Sequence, residues 1–99
     1  MGRYLTLWKV DLSRVPEDPK AQLEHFTKLQ NMVKEDMKIG PTKDFGMFLG
    51  GDSGYAIDEG TEEEVAMANM QYCPFVKSKT HAVLTPGQID EIMKKFANM

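Results

Sequence analysis

His81 lies on a strand-like run in which Lys77 and Lys79 occupy the same face, and it is the one histidine of two that falls on such a run. Imidazole titrates near pH ~6.5, so a histidine held on a strand can accept and return a proton under ordinary conditions. His81 is therefore the candidate catalytic residue. A hydrogen-bonded histidine inside a sheet or barrel fits the same position. A second set of groups is drawn from other runs: Thr6, Trp8, Tyr55, Asp58 and Lys79. A carboxylate, an indole and an ammonium group around one cavity suit a small polar or aromatic ligand. A surface Lys–Asp pair beside a core tryptophan accounts for the same residues without a ligand. The face of the third strand decides part of this. If Tyr55 and Ile57 look into the cavity, Asp58 does not.

Other chemistries find no support in the residue spacing. Gly50-Gly51-Asp52-Ser53-Gly54 has the glycines of a phosphate loop, but a strand follows where a phosphate cradle needs a helix N-terminus. Cys73 is the single cysteine and follows the expected end of a helix, where the dipole disfavours a thiolate. His25 sits at the edge of a helical apolar stripe and reads as a surface residue. No HxxxH or CxxC spacing is present, so no metal site and no cofactor is expected. Glu62-Glu63-Glu64 reads as a helix start rather than a catalytic carboxylate pair.

The elements that must position these groups follow from changes in periodicity. Tyr4–Val10 alternates as a strand, with Leu5 and Leu7 on one face and Tyr4, Thr6 and Trp8 on the other. Asp18-Pro19 opens a helix over Lys20–Ile39, whose stripe is Leu23, Phe26, Leu29, Val33 and Met37, and Gly40-Pro41 stops it. Asp44–Leu49 and Gly54–Glu59 flank the glycine turn as a hairpin. Thr61 and Glu64 form a capping box for a helix over Glu62–Tyr72, with Val65, Ala68 and Tyr72 as its buried stripe. Met67 and Met70 fall outside that stripe. Val76–Leu84 is a fourth strand. Thr85-Pro86-Gly87-Gln88 opens a last helix, Pro86–Met99, with Ile89, Ile92, Met93, Phe96 and Met99 along one side.

The expected fold is α+β: a ferredoxin-like β-α-β-β-α-β order with an additional C-terminal helix, and an antiparallel four-stranded sheet covered by helices on one face. Strands one and three are expected as parallel neighbours, with strand four antiparallel beside strand one. That would bring Trp8 and Asp58 to one end of the sheet near Lys77 and Lys79. His81 would then lie beside Thr6 or Tyr4. The uncovered face is expected to carry Trp8 and Tyr4, which implies a lid supplied by a second copy.

Ninety-nine residues make one domain over 1–99. The net charge of −3, from twelve basic and fifteen acidic side chains, gives no field for phosphate backbones, so no nucleic-acid partner is expected. The apolar runs are far shorter than a membrane span, and the start Met1-Gly2-Arg3 runs into a strand without a signal-peptide core. A lone cysteine fits a reducing cytoplasm. Eight methionines suit an adaptable core or interface.

With Tyr4-Leu5-Thr6-Leu7-Trp8-Lys9-Val10-Asp11, Lys43-Asp44-Phe45-Gly46-Met47-Phe48, Gly54-Tyr55-Ala56-Ile57-Asp58-Glu59-Gly60 and His81-Ala82-Val83-Leu84-Thr85 in this order, the whole chain resembles the small dimeric α+β barrel proteins. That ferredoxin-like superfamily includes muconolactone isomerases and antibiotic-biosynthesis monooxygenases. The resemblance implies a homodimer and a site between sheet and helices or inside the barrel. It implies isomerase- or cofactor-free monooxygenase-like chemistry if the protein is an enzyme. Two functions follow as expectations: a barrel that binds a small organic molecule, and a non-catalytic structural or regulatory dimerisation module with a filled interior.

Overall fold

A computed structural model describes residues 2–99. Met1, where the expectation of a leader-free start begins, lies outside them. The elements run β1 (Gly2–Val10), α1 (Pro19–Ile39), β2 (Thr42–Met47), β3 (Ser53–Gly60), α2 (Glu62–Met70), β4 (Val76–Val83) and α3 (Pro86–Ala97), with a short 3-10 turn at Leu12–Arg14. The result is an α+β chain with a four-stranded antiparallel sheet in the order β2-β3-β1-β4.

Each helix starts where its cap chemistry lies. Asp18 accepts from the Ala21 amide at 3.0 Å, with Pro19 pre-set for the first turn. Thr61 and Glu64 satisfy each other's backbone donors reciprocally, as do Thr85 and Gln88. The β2–β3 hairpin turns through Gly51, whose φ of +89° strains any residue with a Cβ.

Two expectations about the sheet need correction. Strands β1 and β3 are antiparallel, with Tyr4 opposite Asp58 and Trp8 opposite Gly54. The cause is a count of chain reversals. Helix α1 carries the chain across so that β2 runs with β1, and the hairpin then reverses β3 against both. Trp8 and Asp58 are thus four positions apart along the strands, and His81 lies opposite Leu5. The second correction concerns the faces. Tyr4, Thr6, Trp8 and Val10 point toward the helices, and Leu5 and Leu7 toward the open side.

Trp8 turns inward because β3 offers it a bare backbone. A Cβ on Gly54 would collide with the Trp8 ring and the Gly46 carbonyl oxygen. The indole uses that space, donates Nε1–H to the Tyr55 carbonyl at 3.2 Å and stacks on Phe45 with centroids 5.3 Å apart. Gly54→Ala is therefore expected to cost about 2 kcal/mol or more in urea unfolding. Gly50→Ala, whose Cβ would meet open space, should cost under about 0.5 kcal/mol. Equal costs would contradict the packing of Trp8 over Gly54.

The buried apolar residues Val10, Val33, Ala56, Val65, Ala68 and Val76 lie between the sheet and the two helices α1 and α2. Val65 and Ala68 are those expected of α2, with Met67 and Met70 outside the buried face. On α1 the stripe is only partly used: Val33 is buried and Leu23 is exposed. Helix α3 buries none of its residues. It accounts for the molecule's length, 62 Å against 26 and 20 Å in the other directions, by projecting from the sheet.

Candidate functional site

The layer between sheet and helices is hollow. A cavity of about 650 Å³ lies over the inward face, walled by Phe26, Leu29 and Val33 of α1, by Ala68, Asn69 and Tyr72 around α2, and by the strands below. Small side chains on the sheet leave this room: Thr6, Ala56, Ser78 and their neighbours fill far less space than leucines would.

The strand register gives the cavity two chemically different ends. At one end Asp58, 2% exposed, accepts from the Thr42 hydroxyl at 2.8 Å. Thr6, equally buried, shares a hydrogen bond of 2.9 Å with Thr80, which also accepts from Asn69 Nδ2 at 2.9 Å. Asp36 of α1 lines the same cavity, held by the Tyr72 hydroxyl at 2.5 Å and Gln71 Nε2 at 3.0 Å. At the other end stand Trp8, Phe45, Met47, Val10 and Val76. Four residues of strand separate Trp8 from the Asp58 row, a distance of about 13 Å.

Burial pushes the Asp58 carboxyl above its ordinary value, and the charge of Asp36 adds to the rise. The hydroxyls of Thr42 and Thr6 oppose it. Burial likewise pushes the Tyr72 phenol far up, reinforced by its bond to Asp36. Tyr72 is therefore a fixed donor at neutral pH. No cation compensates the two carboxylates: among the described residues the ion pair present is Lys94–Glu91 on α3.

The rise at Asp58 has a defined consequence for stability. The unfolded chain ionises this carboxyl at ~3.9, the folded chain only at higher pH. Between the two values the folded state holds more proton, so its contribution is complete below the unfolded value and is lost as pH rises through the folded one. Asp58→Asn keeps an acceptor for Thr42 and removes the titration. Its stability relative to the parent should grow as pH rises above the ordinary carboxylate range of about 4 and level off once the folded carboxyl has ionised. Parallel pH profiles in chemical denaturation would show that Asp58 carries no such burden.

The sequence-predicted residues divide between the two faces. Thr6, Trp8 and Asp58 line the cavity. Lys79 and His81 stand on the open face opposite Leu7 and Leu5, and both are exposed. Tyr55 is on that face too, with its hydroxyl donating to Asp44 Oδ2 at 2.9 Å and its phenol pushed up by that bond. The structure thus brings three of the six together and places the other three across the sheet. His25 departs from its surface reading: it packs edge-on against Phe26 and Phe75, and its Nε2 is buried without a partner among the described residues.

Thr42, Asp36, Tyr72, Asn69 and Thr80 were missed by the sequence. The available signals were a carboxylate beside the apolar stripe of α1 and small hydroxyl side chains at inward positions of β1 and β4, where a solid core would place larger apolar ones. Among the described residues no group of three or more acidic, histidine or cysteine side chains is arranged to hold a metal ion. No helix among them is long and apolar enough to cross a membrane. Compared with known protein families, the chain matches no family model, and no curated protein matches it.

Proposed function

We propose that this chain is a ferredoxin-like domain of the dimeric α+β barrel kind, acting in the cytoplasm as a homodimer that binds a small organic molecule between its sheet and helices. The carrying observation is the two-ended cavity of about 650 Å³, a volume in the range of small-ligand sites, with a buried carboxylate and an aromatic wall. Catalysis, in this reading, would rest on Asp58, the buried titratable group that the cavity reaches, shifted toward the range useful for proton transfer. His81 would act only on a molecule held at the open face.

The homodimer is supported by two uncovered apolar surfaces. The open face presents Leu5, Leu7, Ile57 and Val83 beside Lys79 and His81. Val83 and Leu84 continue that surface into the stripe of α3, where Ile89, Ile92, Met93 and Phe96 are all exposed. A second copy related by a two-fold axis covers both surfaces at once, because each chain supplies both halves. The filled-barrel alternative shares this dimer and differs in the cavity.

A screen of small organic compounds, read by the fluorescence of Trp8, the single tryptophan, tests the reading directly. Saturable changes at micromolar to millimolar concentration are expected. A crystal structure with the cavity filled by side chains, together with an empty screen, would favour the dimerisation module.

A further inference from the structure

We propose that the cavity takes an elongated organic cation, with its ammonium group at the Asp58–Asp36 end and a flat apolar body against Trp8 and Phe45. The inference rests on the ligand-binding reading above and adds the charge, shape and direction of the ligand. Three independent features carry it. The first is the enclosure itself, whose ends lie about 13 Å apart along the strands.

The second is the charge at one end. Asp58 is almost completely buried, and Asp36 lines the same cavity, close enough that its charge disfavours the ionisation of Asp58. Their neighbours are hydroxyls and an amide: Thr42 on Asp58, Tyr72 and Gln71 on Asp36. These donors orient the oxygens without neutralising them. Among the described residues no lysine, arginine or histidine pairs with either. A buried carboxylate is ordinarily matched by a cation. Here the matching charge would arrive with the ligand and relieve the repulsion between the two acids. An anionic ligand would add a third negative charge at the same place.

The third feature is the opposite end, where Trp8 and Phe45 stack nearly parallel, 7° apart, and present apolar surface to the cavity. Such a wall suits an aromatic ring or a flat aliphatic body. A ligand with charge and ring adjacent would satisfy one end only. A spacer of several methylenes is required to reach both.

Phenylalkylamines with one to six methylenes serve as probes, read by quenching of Trp8 and by calorimetry at about pH 8. The neutral comparison is the matching phenylalkanol, and the anionic comparison the matching phenylalkanoate. The longer amines are expected to bind at least about tenfold more tightly than benzylamine and than their own alcohols, with the carboxylates weakest. Asp58→Asn should erase the preference of amine over alcohol while leaving alcohol binding in place. The comparison of probes in the unaltered protein stands even if that variant folds poorly. Alcohols or carboxylates that bind as well as amines would overturn the cationic assignment and leave the cavity as a ligand site. Failure of all three series to bind would instead remove the ligand-binding reading, and this inference with it.

Discussion

Replacing Ile92 and Phe96 of α3 with aspartate is expected to turn the proposed homodimer into a monomer, raising its dissociation constant by about a thousandfold or more. Neither side chain is buried within its own chain, and Phe96 is 70% exposed. In a two-fold interface each appears twice, so four apolar groups are withdrawn from the contact. At about 1.5–3 kcal/mol for each side chain buried, the loss exceeds what a thousandfold change requires. Aspartate adds the cost of confining charge at an apolar contact.

Because α3 packs so little on its own sheet, the variant should keep the β signal in circular dichroism while its sedimentation coefficient falls. Glu91→Gln, on the polar side where Glu91 meets Lys94 at 3.5 Å, is the matched control and should change neither property. A parent protein that sediments as a monomer at tens of micromolar, or a double variant as tightly paired as the parent, would refute the role given to α3.

How far the sequence carried the fold depends on where the information sits. Helix starts are written in contiguous residues: Asp18-Pro19, Thr61 with Glu64 and Thr85 with Gln88 each announce a cap, and each is one. Strand alternation likewise put Tyr4, Thr6 and Trp8 on a common face. What alternation lacks is a sign, since period two is the same whichever side faces the core. Trp8 goes inward because Gly54 lies opposite it, a fact that needs the register of β1 on β3. The register needs strand direction, which comes only from tracing the reversals at α1 and the hairpin. An error there moved Asp58 to the wrong end of the sheet relative to Trp8. The strand expected over Asp44–Leu49 runs over Thr42–Met47, and its start lies across an irregularity in pairing between Thr42 and Asp44 that alternation cannot reveal.

The candidate site divides in the same way. Thr6, Trp8 and Asp58 were readable because each belongs to an alternating strand and carries an unusual group for its place. Asp36 and Tyr72 come from helices, and their meeting at 2.5 Å across 36 residues has no local trace. His81 stood out by rarity. Its strand neighbour Thr80, one residue away and facing the other side, is the one that meets the cavity layer through Thr6 and Asn69. A one-residue change of parity separates a residue bonded to the cavity wall from one on the open face.

Ala56→Leu is expected to stabilise the unliganded protein by about 1.5 kcal/mol and to weaken phenylalkylamine binding by about a hundredfold. The sign is the informative part. Ala56 lies on β3 between Asp58 and Gly54, 8% exposed, facing the hollow layer beside Thr6 and Phe45. In a core packed to ordinary density, the added carbons would force neighbours aside and cost about 1–3 kcal/mol. In a true cavity they find room and remove apolar surface from water, at about 0.8 kcal/mol for each methylene buried. Part of that gain is offset by fixing the new side chain, about 0.5–1 kcal/mol for leucine. The same carbons occupy the path between the acidic and aromatic ends, so a ligand spanning both loses its place even though neither Asp58 nor Trp8 is altered. Chemical denaturation and Trp8 quenching measure the two effects separately. Destabilisation with binding intact would mean that the layer closes over in solution and that the ligand sits elsewhere. Stabilisation with binding lost would tie the hollow itself to the function.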